Sequence, residues 1–316
     1  MSESPGERRS RLPEHVGIID TIGLSFGLLN RRPYLIWILI VIDVIAWTGY
    51  RLLVVGAGDS VPELVRNAFP GGIEGTSTIE LVNVLTWPVP NLLSDARLSE
   101  AASPFPAAAH QFDGPAGVGL VLLMAGIAIF LAAAYLTLVG RLVAELPARG
   151  LSFLTDSVRT MYSSIGIVAM LAGLLLFMIL PFGAGAVGLL VIGMDPTVLL
   201  FLSTLILAVW LGLFFAFSIP ALALGERNIF RAMRTSYQLV QGNFLAVVGL
   251  ILIFLLVRAA TPHALSVFLD SQWSIPFAIV VNAYIATGLI AAFMLFFQNR
   301  TFDSTSSTGS AIAQNG

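Results

Sequence analysis

Asp43 is the one acidic side chain in the apolar run at residues 33–55. It lies about nine residues past the start of that run, roughly 14 Å along a helix axis, which is near the middle of a bilayer. A carboxylate there costs about 2.5–3.5 kcal/mol on insertion scales, so it must serve a function or be held by a neighbour. The functional reading is an ion or proton site. The structural reading is an Asp bonded by another helix, with Tyr135, Thr137, Ser203, Thr204, Asn282 and Tyr284 available. No second carboxylate accompanies Asp43 in mid-run and no relay partner is evident, which favours the structural role.

The second grouping is basic. Wound at the helical period, residues 225–243 separate Phe230, Met233, Tyr237 and Val240 from Arg227, Arg231, Arg234, Gln238 and Gln241. An Arg beside an anionic leaflet contributes about 1 kcal/mol. Arg227, Arg231 and Arg234 are therefore candidate contacts for lipid headgroups or for a partner membrane protein. The ordinary excess of positive charge on the cytoplasmic side explains the charge count equally well, though not the separation into faces.

Other chemistry is missing from the sequence. His15, His110 and His263 lack metal-ligand spacing, and there is no Cys to act as ligand, nucleophile or disulfide partner. Arg258 sits near the end of an apolar run, with a stem long enough to reach the interface. There is no phosphate-cradling Gly-Lys loop, no nucleophile elbow, no paired His-Glu helix motif and no basic-aromatic nucleic-acid surface. The expectation is a protein that is not an enzyme, with no catalytic residue, no metal, no cofactor and no nucleic-acid partner.

The elements that must position these residues are membrane spans. Of 316 residues 57% are hydrophobic and 11% charged, against about 25% charged in soluble domains. Only a polytopic, all-α transmembrane bundle fits. Six spans are predicted, at 33–55, 117–139, 165–193, 195–224, 244–260 and 274–297. Pro181, beside the Gly/Ala-rich stretch 183–188, predicts a kink or early end to the third. Asp195 and Pro196 read as N-cap and first-turn proline of the fourth, which also carries Pro220. Amphipathic surface helices are expected at 17–29, 155–164 and 225–243. In the second of these Leu154, Val158, Met161, Tyr162 and Ile165 form an apolar stripe opposite Asp156, Arg159, Thr160 and Ser163. Small pairs at spacing four, Ala128 with Ala132, Ala169 with Gly173, Ala184 with Gly188 and Gly288 with Ala292, predict closely packed helices.

Residues 1–16 and 301–316 are polar and expected to be disordered, and 17–300 to form one membrane domain. The stretch 56–114, mostly acidic in its charges, is expected as an external loop with short helices at 61–69 and 78–93. The first apolar run begins too late for a signal peptide and lacks a cleavage site. Counted by alternate loops, 12 of the 16 Arg fall on one side, while Arg51, Arg66, Arg97 and Arg258 fall on the other. The positive-inside rule then makes both termini cytoplasmic in an inner or plasma membrane.

The approaches to three spans share a frame: IGLSF at 22–26, VRTMY at 158–162 and MRTSY at 233–237. The second and third hold Arg, Thr and Tyr in register, which favours true repetition of those two, while the first shares only the apolar frame and an aromatic end. Any inward-facing span with a basic approach would look similar. A real match implies three successive helical hairpins, each introduced by a cytoplasmic surface helix. The segments ALALGERNIFRAMRTSYQLVQGNFLAVVGLIL, VGRLVAELPARGLSFLTDSVRTMYSSIGIVAML and LLNRRPYLIWIL resemble the recurring pattern of the membrane domain associated with some glycerophosphoryl diester phosphodiesterases, and of related archaeal and bacterial multi-pass families. The resemblance spans most of 17–300 through short, degenerate motifs. It implies a six-span fold with no assigned activity. The diesterase chemistry belongs to a separate soluble barrel with a His-Arg-Gly signature, which does not occur in this sequence, so no catalytic residue carries over.

The expected function is structural, regulatory or lipid-interacting, with membrane lipids and a membrane protein as partner classes. The alternative is a small-solute or ion permease using Asp43 and a broken helix around Pro181. An intramembrane enzyme is a weaker third, since it needs two or more converging ionisable groups.

Overall fold

The computed structural model describes residues 17–48, 52–54, 79–80, 110–112, 114–146, 151–193, 195–266 and 274–314. Arg8, Arg9, Arg11 and Arg149, the disorder expected at 1–16, the helix expected at 61–69 and most of that at 78–93 lie outside them. The helices are α1 (Ile18–Arg31), α2 (Trp37–Thr48), α3 (Gly114–Val143), α4 (Leu151–Val191), α5 (Thr197–Phe215), α6 (Ser218–Ala223), α7 (Ile229–Gly242), α8 (Phe244–Ser266) and α9 (Ser274–Gln314). Five are long and apolar enough to cross a membrane, α5 and α6 counting together, or six if the bent pair at residues 18–44 makes one span. Short strands β1 (Leu52–Val54), β2 (Ile79–Glu80) and β3 (His110–Phe112) form a small sheet in the order β2-β1-β3. β1 runs antiparallel to β2 and parallel to β3. Residues 79–80 are thus strand where a helix over 78–93 is expected.

Prolines decide several boundaries, though not always as their positions predict. Pro33 disfavours the helical region at Arg32, whose φ of −140° and ψ of 66° interrupt the helix. A 3₁₀ turn, Pro33–Ile36, then leads into α2 after a bend of 96°. The helix α2 ends at Thr48 and strand β1 begins at Leu52, so the apolar run at 33–55 is not one continuous helix. Pro181, by contrast, neither ends nor divides α4, which continues ten residues beyond it to Val191. A proline removes one backbone donor, and membrane helices tolerate that loss where the freed carbonyl is otherwise accommodated. The surface helix expected at 155–164 and the span expected at 165–193 are therefore a single helix of 41 residues.

The real break in a span lies before Pro220, between α5 and α6. Glycine and polar caps close the neighbouring turns. Gly225 adopts φ of 109°, the Glu226 N–H reaches back to the Ala221 carbonyl at 3.0 Å, and α6 ends there. Asn228 then starts α7 by accepting the N–H groups of Phe230 at 2.9 Å and Arg231 at 3.4 Å. Gly193, at φ of 79°, closes the end of α4. Asp195 caps α5 from one residue earlier than an N-cap, accepting from the Thr197 N–H at 2.9 Å and hydroxyl at 2.6 Å. The helix α9 runs on through Thr301 to Gln314, although the composition of that tail predicts disorder. Extending an existing helix costs far less than nucleating one, which favours propagation into weak helix formers.

Two compact units are distinguishable: residues 1–26, 136–252 and 291–316, and residues 27–135 and 253–290. The first is centred on Phe217, whose ring stacks on Phe293 at 4.3 Å and Phe296 at 5.8 Å, among Ile167, Met233, Val240 and Val247. The second packs Leu265, Ile275, Ala278 and Ile279 against Ile40 and Val44. Large apolar side chains also point outward in number. The helix α5 buries none of its residues and exposes Val198, Phe201, Leu205, Ile206 and Trp210. An exposed apolar surface of this kind suits hydrocarbon rather than water. The molecule has the build of a membrane protein.

Candidate functional site

Asp43 is 0% exposed on α2. Asn282 of α9 donates its side-chain N–H to the Asp43 carboxylate at 3.4 Å. Four of the other polar groups considered as partners for Asp43 make hydrogen bonds elsewhere. Tyr135 donates to the Thr287 hydroxyl at 2.9 Å, Thr137 to Thr160 at 3.1 Å, Tyr284 to Asn30 at 2.9 Å, and Ser203 to the Leu200 carbonyl of its own helix. The carboxylate is thus enclosed and held from a second helix, an arrangement that stabilises a buried acid without a ligand.

The basic residues before and within α7 separate into two settings. Buried positions on α7 are Ala232, Met233, Ser236, Leu239 and Val240, a single helical face. Phe230 and Tyr237 are not on it: they are 69% and 43% exposed, on the same side as Arg231, Arg234, Gln238 and Gln241. This corrects the expected division, because Phe230 and Arg234 are four residues apart and must share a face. The outward side of α7 therefore mixes aromatic and basic groups. Tyr237 stacks on Phe214 at 5.2 Å, Phe214 on Trp210 at 5.5 Å and Trp210 on Phe244 at 6.3 Å, an aromatic series of the kind found at lipid headgroup level.

Arg227 precedes α7 and lines a separate cleft of about 120 Å³, walled by the ends of α3 and α6, the start of α4 and the turn before α7. Close helix packing shapes its walls. A Cβ at Gly140 would come within 2.5 Å of the Ala223 carbonyl oxygen, and one at Gly166 within 2.9 Å of Ile229 Cδ1. Arg141, nearly buried, pairs with Asp156, reaches Ser152 at 3.4 Å and lies 5.9 Å from the centre of the Phe153 ring. Arg159 donates to the Arg227 carbonyl at 3.1 Å. Thr160 and Ser163 add hydroxyls to the lining.

The polar members Asp156, Arg159, Thr160 and Ser163 were visible as one face of a helix. What the periodicity cannot supply is that this face points inward, while Leu154, Val158, Tyr162 and Ile165 are exposed. Outside a membrane span the apolar stripe would face the protein; beside lipid it can face outward. The small pairs sort in the same way. Ala128, Ala132, Gly288 and Ala292 are buried, whereas Ala169, Gly173, Ala184 and Gly188 are exposed, and an added Cβ at Gly173 or Gly188 would meet nothing within 4 Å.

Residues 20–305 match a family model described as a domain of unknown function, DUF7847. No curated protein and no solved structure matches the chain.

Proposed function

The chain belongs to the DUF7847 family, and we propose, from the build of α7, that it is a non-enzymatic, multi-pass protein of the inner or plasma membrane that engages anionic lipid headgroups through the outward side of that helix. In this reading it makes six crossings as three helical hairpins, with both termini on the arginine-rich cytoplasmic side. Kinship with the membrane domain associated with some glycerophosphoryl diester phosphodiesterases is part of the same proposal, supported by the sequence segments quoted above.

The observation that carries the lipid role is the pairing of exposed Phe230 and Tyr237 with Arg231 and Arg234 on one side of α7, opposite a fully packed face. Aromatic rings at headgroup depth and guanidinium groups beside lipid phosphates are mutually reinforcing at an interface. In proteoliposomes containing spin-labelled phosphatidylglycerol or phosphatidylcholine, the native chain should enrich the anionic lipid at its boundary. Replacing Arg231 and Arg234 by Gln should remove that enrichment, and an unchanged preference would defeat the lipid role. Orientation has its own check: Thr235→Cys should resist an impermeant thiol reagent added outside, and Leu85→Cys should react.

A further inference from the structure

The cleft behind Arg227 contains three arginines, Arg141, Arg159 and Arg227, and two carboxylates, Asp156 and Glu226. The carboxylates are engaged within the protein. Asp156 is paired with Arg141. Glu226 accepts the N–H groups of Arg227 at 3.0 Å and Asn228 at 3.4 Å, and lies 3.9 Å from the Arg231 guanidinium. Three arginines against two carboxylates leave the lining net positive, with Asp156 set against Arg141 and the Glu226 charge only partly offset by Arg231. Arg159 commits a donor to a neutral backbone carbonyl, which leaves its charge uncompensated by that bond.

We propose that this cleft binds a phosphate group, carried by a phospholipid headgroup or by a soluble phosphate, between Arg159 and Arg227, with Thr160 and Ser163 as hydroxyl donors. Forked guanidinium groups suit tetrahedral oxyanions because each presents parallel donors to two oxygens. The site is small: about 120 Å³, against roughly 300–1,000 Å³ for pockets that enclose drug-sized ligands. That size fits a headgroup or an inorganic ion and not a nucleotide. Arg141, held by Asp156, Ser152 and the Phe153 ring, acts as a positioning residue that keeps α4 aligned with the end of α3. The site does not use Arg234, so that residue separates it from the outward side of α7, whereas Arg231 lies beside Glu226 of the lining.

The test uses the full chain purified in dodecyl maltoside, which carries no phosphate. One arm adds inorganic phosphate and the other adds phosphatidic acid to the micelles, with the thermal unfolding midpoint as readout. A saturable rise is expected in at least one arm, and the arm that responds identifies the source of the phosphate. Arg159→Gln and Arg227→Gln should each weaken the apparent affinity by about tenfold or more, as expected for loss of a charged hydrogen bond. Arg234→Gln should leave it unchanged. Should Arg159→Gln not fold, Arg227→Gln decides alone, because that residue is exposed. The assignment is overturned by no rise in either arm, by a rise that survives Arg227→Gln, or by a rise that only the Arg234 change abolishes.

Discussion

The Ser236 hydroxyl of α7 sits in the break between α5 and α6, accepting the Phe217 N–H at 3.1 Å and donating to the Phe214 carbonyl at 2.8 Å. Pro220 cannot donate to the carbonyl four residues before it, so the helical ladder is interrupted there and backbone groups are left to be satisfied from elsewhere. One serine supplies both a donor and an acceptor. Ser236 is wholly buried, so no water replaces it.

Ser236→Ala should therefore destabilise the protein by about 1–2 kcal/mol, since it orphans a donor and an acceptor together. Ser203→Ala, which removes only a bond to the same helix, should change stability by less than about 0.5 kcal/mol. Equal losses for the two variants in reversible unfolding would show that the break is not supported by Ser236.

Gly140 and Gly173 offer a contrast in helix packing. Gly140→Ala places a methyl group 2.5 Å from the Ala223 carbonyl oxygen, a backbone atom that cannot swing aside. A loss of about 1–3 kcal/mol is expected from the enforced separation of α3 and α6. Gly173→Ala meets nothing within 4 Å and should be neutral or stabilising by up to about 1 kcal/mol through helix propensity. Thermal unfolding of the two variants distinguishes them by sign.

Asp43 and Asn282 are expected to act as a structural pair. Asp43→Asn keeps an acceptor oxygen and should stay within about 1 kcal/mol of the native stability, whereas Asp43→Ala leaves the Asn282 donor unsatisfied and should cost about 1–3 kcal/mol. Neither change should alter ion or proton flux in proteoliposomes. A flux present in the native chain and abolished by Asp43→Asn would make Asp43 a transport residue instead.

The turn before α5 should respond to acid. The Asp195 carboxyl is held below its ordinary range, first by the Thr197 hydroxyl and then by the Thr197 N–H. A carboxyl whose folded value is depressed stabilises the fold above its unfolded value and loses that contribution as pH falls through the folded one. Carbon-detected titration should place Asp195 below an unperturbed aspartate, and Thr197→Val should raise it. An Asp195 that titrates normally would show that the cap does not persist in solution.

Much of this fold was legible because a bilayer-length apolar run has few alternatives, and α3, α5, α8 and the start of α9 follow such runs. The surface helix expected at 225–243 is present as α7, although the Gly225 turn and the Asn228 cap that delay its start to Ile229 went unread. Inward and outward faces were less legible: Phe230, Tyr237 and the stripe at Leu154, Val158 and Ile165 are apolar yet exposed. Periodicity identifies a face but not its solvent when lipid and protein interior are equally apolar. The break was misplaced for a related reason. Pro181 and Pro220 look alike in sequence, and only the tertiary position of Ser236 supplies what an interruption beside Pro220 requires. The cleft combined both difficulties, since Arg141, Arg159 and Arg227 come from separate stretches of the chain.

The uninterrupted course of α4 has a mechanical corollary. At 41 residues it is about 60 Å long, roughly twice the thickness of the hydrocarbon layer. Such a rod cannot fit within the oil at any modest tilt, so its arginine-bearing end reaches past the oil into the headgroup layer. Thinner or thicker lipid would then alter the rod's lean, and with it the height at which Arg159 rides above the surface.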